Sequence, residues 1–227
     1  MYITILDKQV IMWKVSSNED FFSLTKNQNK EKLKQNGLEI TMDVIGDWED
    51  ILHKLPYIGS VLKLAKAGLM IRDFQFIKKV CLFLNSSNGY DDDEFNQFYN
   101  GLKEKDKIRI SDFLINTILN IDENAKAEII GYIYKHRVKK QIDDDMMIRL
   151  CAIVNRCHLS DLKELPFYIR KKTTQSYAAD NLFSLGLLAN IGIDGGNVYL
   201  DSGGIIYQQN QIGELLYKIL DNERFFD

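Results

Sequence analysis

Proline, cysteine and histidine are scarce in this chain of 227 residues: two prolines (Pro56 and Pro166), three cysteines and three histidines. Proline locks φ and removes an amide donor, so its scarcity leaves long helices open and disfavours extended proline-rich linkers. Three cysteines do not make a disulfide framework, and reduced thiols in a cytoplasmic setting are the simpler reading. No window reaches roughly 18 uncharged apolar residues, so no membrane-spanning helix is expected. The N-terminus lacks a basic region followed by a long apolar run, so no signal peptide is read there. A net charge of −3 and a pI near 5.7 give no general electrostatic drive toward nucleic acid.

What is present is a globular composition, 45% apolar and 27% charged, long enough to bury a core. From Ile58 the period is helical. Ile58, Leu62, Ala65, Leu69, Phe76, Val80 and Phe83 follow three- and four-residue steps and predict a helix over 56–83. Asn85 to Gly89 ends it, with glycine suited to the left-handed conformation past a helix terminus. Four helix starts follow in one grammar, an apolar residue and then a capping acceptor: Tyr90-Asp91, Ile110-Ser111, Ile121-Asp122 and Ile142-Asp143. Glu94, three residues after Asp91, completes a capping box. These predict helices near 92–103, 111–120, 123–139 and 144–158, then a short one from Ser160.

After Pro166 the texture changes. Leu182 to Leu188 predicts a short helix, Asn197 to Tyr207 two strands around a glycine turn, and Gln211 to Leu220 a closing amphipathic helix. Helix, hairpin and helix in that order is what the end of a winged-helix domain looks like. Residues 1–50 are less patterned, with β-favouring runs at Tyr2–Leu6 and Gln9–Val15 that predict an N-terminal hairpin, and a short helix read from Asp43 to Lys54. The expected fold is mainly α: an N-terminal segment over 1–50, a helical bundle over 51–168, and a winged-helix-like α+β module over 169–227.

Candidate chemistry is thin. Cys151 and His158 stand roughly 10 Å apart along a helix axis, too far for one zinc at ~2.0–2.3 Å per ligand bond. Cys157 and His158 are adjacent and point apart, so buried thiols are the plainer reading. No catalytic signature surrounds any of the three cysteines. The acidic runs Asp91–Glu94 and Asp143–Asp145 fail the calcium-loop template, because glycine precedes the acids, and they read as helix caps. No catalytic residue, cofactor or metal ligand is assigned, and an enzyme is not expected.

Two basic runs are candidate anionic-surface contacts. Lys135, Arg137, Lys139 and Lys140 close one helix, where cations also complement the dipole. Arg170, Lys171 and Lys172 precede the hairpin and are the better nucleic-acid candidate, although a basic wing is missing: Leu182–Leu220 carries Asp194, Asp201 and Glu214 against Lys218 alone. Ile58, Leu62, Ala65 and Leu69 form a candidate membrane or partner face, since cationic amphipathic helices can lie in a membrane interface. Core packing explains the same face.

Leu55-Pro-Tyr-Ile-Gly-Ser60, Leu64-Ala-Lys-Ala-Gly68 and Phe76-Ile-Lys-Lys79 resemble the opening of the Abi-alpha family of bacterial abortive-infection proteins. Ala127-Glu-Ile-Ile-Gly131 and the stretch Arg149 to Leu162 are also similar to that family and its relatives of unknown function. The resemblance spans Leu55 to Leu165 and consists of packing positions and caps. It implies a largely helical phage-defence protein inside a bacterium and supplies no catalytic residue. The expected function is therefore a non-enzymatic effector acting through a protein partner or a membrane surface, cytoplasmic or membrane-associated. A nucleic-acid-binding regulator is the alternative.

Overall fold

The computed structural model describes residues 71–196 and 203–226. The expected N-terminal hairpin, the helix from Asp43, and the face of Ile58, Leu62, Ala65 and Leu69 lie outside those residues. Within them the chain is mainly helical with a small three-stranded antiparallel sheet near its C-terminus. Five helices come first: α1 (Ile71–Ser86), α2 (Asp92–Gly101), α3 (Glu104–Asn120), α4 (Asn124–Val138) and α5 (Asp144–Arg156). A short α6 (Leu159–Leu162) and a 3-10 turn (Leu165–Tyr168) lead to β1 (Lys172–Thr174), α7 (Tyr177–Ser184), β2 (Leu188–Asp194), β3 (Gly204–Gln209) and α8 (Gln211–Asn222).

Local chemistry starts several of these elements where the sequence places them. The Asp91 carboxylate accepts from the Glu94 amide at 2.7 Å while the Asp91 amide donates to Glu94 Oε2 at 2.9 Å, a complete capping box for α2. Asp143 accepts from the Met146 amide at 2.8 Å and caps α5. Two starts differ from expectation. Ser111 does not cap a helix: α3 begins seven residues earlier, and Ser111 is buried inside it with its hydroxyl donating to the Ile108 carbonyl at 3.0 Å. That bond to its own preceding turn is how serine is accommodated within a helix. At α4 the cap position falls on Glu123 rather than Asp122, whose carboxylate instead accepts from the Glu123 amide and pairs with Lys126.

Helix α4 is the centre of the bundle. Ala127, Ile129, Ile130, Ile133 and Tyr134 are all fully buried, and Tyr134 has the rings of Phe83, Phe98 and Tyr90 at 5.5, 5.9 and 6.5 Å. Its contact with α1 needs Gly131. A Cβ there would lie 2.5 Å from the Phe83 carbonyl oxygen and 2.1 Å from Ser86 Oγ, so only glycine lets the two backbones approach this closely. Lys126, 2% exposed, reaches Asp122 at 2.7 Å and the Asn155 carbonyl at 3.3 Å, which partners a cation otherwise costly to bury.

The sheet order is β1-β3-β2, with both neighbours antiparallel to β3. The hairpin differs from its expected position. Its first strand is Leu188–Asp194, ahead of Asn197, and residues 197–202 lie outside the described ones. Helix α7 starts five residues before Leu182, on the side-chain cap Ser176, and Leu187-Leu188 turn into β2 instead of extending the helix. Strand β1 was not anticipated, because three residues beginning with a lysine carry no alternation to read. Helix α8 closes onto this sheet: Asn210 caps it through the Ile212 and Gly213 amides, and a Cβ on Gly213 would sit 2.0 Å from the Leu187 carbonyl oxygen. One cluster of buried side chains runs from Phe83 through Leu150 and Leu165 to Leu182, Tyr207 and Leu220. The Gln209 amide, buried, donates to the Leu165 carbonyl at 2.7 Å and fixes β3 on the 3-10 turn.

Candidate functional site

The first basic run is built into the fold. Lys135 pairs with Glu223 at the end of α8, and its side chain is only 13% exposed. Arg137 pairs with Asp144 at the start of α5 and stacks over Phe98 at 4.8 Å from the ring centroid. Lys139 is half-buried at the end of α4. Lys140 holds a left-handed φ of 57° beyond it, its ammonium 3.2 Å from Gln97 Oε1. Two of these four cations are thus joined to carboxylates that link helices, and the run functions as an interhelical clasp.

The second basic run is different. Arg170, Lys171 and Lys172 are all exposed, and among the described residues none has an ion pair. Lys172 lies over Phe167, 4.6 Å from the ring centroid, in the geometry of a cation–π contact. In the sheet register Lys172 faces Tyr207, and Tyr207 faces Asn190 on its other side. Two residues along, Thr174, Ile205 and Ile193 are aligned in the same way, so their side chains emerge on the same face as Lys172 and Tyr207. Phe183 of α7 packs its ring 5.6 Å from Tyr207. Tyr207 is itself buried; Lys172 and Ile193 on its face of the sheet and Phe183 on α7 are exposed.

Apolar exposure concentrates in the same region. Seven large hydrophobic side chains are exposed among the described residues, and six of them fall between 167 and 193: Phe167, Ile169, Tyr177, Phe183, Ile191 and Ile193. Tyr177 is 88% exposed and Ile193 80%; the seventh, Ile108, stands apart on α3. Scattered exposed hydrophobics are ordinary on a protein surface, whereas a concentration of them marks a contact site. The aromatic members were legible as residues, but β1 and the α7 start had to be known before they could be seen as neighbours.

Electrostatics argue against thiol chemistry. Burial raises the Cys151 thiol, and burial together with the Asp161 carboxylate holds Cys157 up at about 12. Neither is a thiolate at neutral pH, and the thiolate is the nucleophile and the metal ligand. Cys157 Sγ lies 3.3 Å from the His158 carbonyl oxygen, while His158 itself is exposed. No group of three or more histidine, cysteine or acidic side chains among the described residues is placed to hold a metal ion. Tyr207 is held at about 12 by burial and by its hydroxyl donating to Asp180 at 2.6 Å, so it stays a neutral donor. No helix among the described residues is long and apolar enough to cross a membrane.

No protein-family model, curated protein or solved structure matches the chain.

Proposed function

We propose that this protein is a non-enzymatic interaction protein whose working surface is the sheet face and α7 of its C-terminal unit. The observation that carries the reading is that, among the described residues, six of the seven exposed large hydrophobics fall between 167 and 193, the stretch that also holds the exposed Arg170, Lys171 and Lys172. Aromatic anchors with arginine at the rim are the usual composition of protein–protein contact sites. The order β1, α7, β2, β3, α8 suits a winged-helix-like module used for holding a protein. The resemblance of Leu55–Leu165 to Abi-alpha proteins favours a role in phage defence for that contact, with the bundle as the scaffold.

The test is comparative capture. Proteins crosslinked to the wild-type chain in a bacterial cell should be lost with Phe183→Asp and with Ile193→Asp, and kept with Ile108→Asp, which alters an exposed hydrophobic elsewhere. Equal capture by all three variants would remove the surface from consideration.

A nucleic-acid-binding regulator is the second reading, favoured by the exposure of Arg170, Lys171 and Lys172. Its difficulty is charge: residues 169–227 hold five basic side chains against seven acidic ones. Salt-dependent DNA binding that disappears on neutralising the three cations would decide for it.

A further inference from the structure

We infer that the 3-10 turn and the three cations after it, Phe167 to Lys172, form an anchor that lays this protein on an anionic lipid bilayer. The inference goes beyond the protein contact proposed above and leaves Phe183 and Ile193 to that contact.

The turn sorts its side chains by its own period. Three residues make one 3-10 turn, so Leu165 and Tyr168 fall on one side, and both are buried. Phe167 and Ile169 fall off that side and stand 61% and 46% exposed. The inward pair joins the core, and the Gln209 amide holds the turn to β3 through the Leu165 carbonyl. The outward residues carry paired amides: Phe167 donates to the Glu164 carbonyl at 2.9 Å and Ile169 to the Pro166 carbonyl at 3.3 Å. Their side chains can therefore enter a lipid interface without taking a bare amide donor with them.

Charge completes the anchor. Arg170, Lys171 and Lys172 follow in unbroken succession, all exposed and without an ion pair among the described residues. Glu164, the nearest acid along the chain, is half-buried. The Lys172 ammonium lies 4.6 Å from the Phe167 ring centroid, so the cationic and apolar parts touch. An apolar anchor or a few cations alone hold a membrane weakly, and the two together attach stably. The net charge of −3 is spread over the whole chain, and at physiological salt a bilayer responds mainly to charges within about 8 Å. Duplex DNA would meet the cations but offers no apolar phase to Phe167 and Ile169, whereas a bilayer supplies both from one surface.

The test is flotation of the full chain with two kinds of vesicle, phosphatidylcholine alone and phosphatidylcholine with roughly one-third phosphatidylglycerol. Binding should require the anionic lipid and weaken as salt is raised. Arg170→Gln with Lys171→Gln should weaken it roughly 30-fold, about five-fold for each cation. Phe167→Ser should weaken it several-fold and Phe167→Trp should preserve it, while Ile108→Asp and Lys105→Gln, exposed on α3, should leave it unchanged. All of these changes fall on exposed side chains, so each variant can be checked for an unaltered urea midpoint. No flotation, equal flotation with both vesicles, or flotation indifferent to the Phe167 and Arg170–Lys171 changes would overturn the inference. DNA binding lost with the paired change, in a chain that does not float, would assign the cations to nucleic acid and overturn it as well. Partner capture reads Phe183 and Ile193 while flotation reads Phe167 to Lys172, so either can fail while the other stands.

Discussion

In the helical bundle, three buried or half-buried cations are matched: Lys135 meets Glu223, Arg137 meets Asp144 and Lys126 meets Asp122. In the C-terminal unit, Arg170, Lys171 and Lys172 have no carboxylate partner among the described residues, and hydrophobic side chains stand in solvent beside them. Both regions draw on one continuous core, so the difference is not one of folding quality. It separates residues whose interactions close within the described fold from residues left to meet something else. A basic run is informative only after its counter-charges have been located.

The largest effect that would break this contrast is expected in the bundle. Gly131→Ala forces a Cβ against the Phe83 carbonyl and Ser86, and should cost about 3 kcal/mol or more in urea unfolding. Asp91→Ala removes the side-chain half of the capping box at the start of α2, the acceptor for the Glu94 amide, and the same measurement should show a loss of about 1 kcal/mol.

Lys140→Gly should move the other way, stabilising by about 0.5 kcal/mol. It relieves a left-handed backbone at the end of α4 at the cost of one exposed contact to Gln97. At the smallest end, Phe183→Asp should shift unfolding by less than about 0.5 kcal/mol while abolishing partner capture, because its half-exposed ring adds little to the core. A loss of stability comparable to that of Gly131→Ala would place Phe183 among core residues and erase the contrast.

A pH series sharpens the same boundary. His136 sits beside the Lys135–Glu223 pair, and burial, with the Lys135 and Lys139 charges, holds its pKa below the ordinary value. Its Nδ1 contacts Gln141, and its buried Nε2 has no hydrogen-bond partner among the described residues. A histidine depressed in the folded state favours folding above its unfolded pKa of about 6.5, and that contribution is lost as pH falls through the folded value. Stability should therefore decline as pH is lowered below about 6.5, and His136→Gln should flatten this part of the profile. An unchanged slope in that variant would assign the decline to other groups.

Short-range features were the readable ones. The caps at Asp91 and Asp143 depend on an acceptor side chain and an amide three residues on, which is a distance the sequence displays directly. Ser111 misled because a serine after an isoleucine looks the same whether it caps a helix or bonds back within one. Strand β1 escaped notice because its only reason to be extended is the pairing of Lys172–Thr174 with Ile205–Tyr207. The candidate surface was legible as residue types and illegible as a place, since Lys172 and Ile193 come onto one face only when β1 and β2 both pair with β3.

Helical periodicity, capping and a change of texture after Pro166 could all be deduced from order along the chain, because each arises from neighbours a few residues apart. Which cations are neutralised, why Gly131 and Gly213 must lack a side chain, and which hydrophobics remain exposed were settled by packing. Lys135 and Glu223 are 88 residues apart, and no local rule pairs them. Coulomb attraction and steric exclusion depend on distance in space, and that distance exists only once the chain has folded.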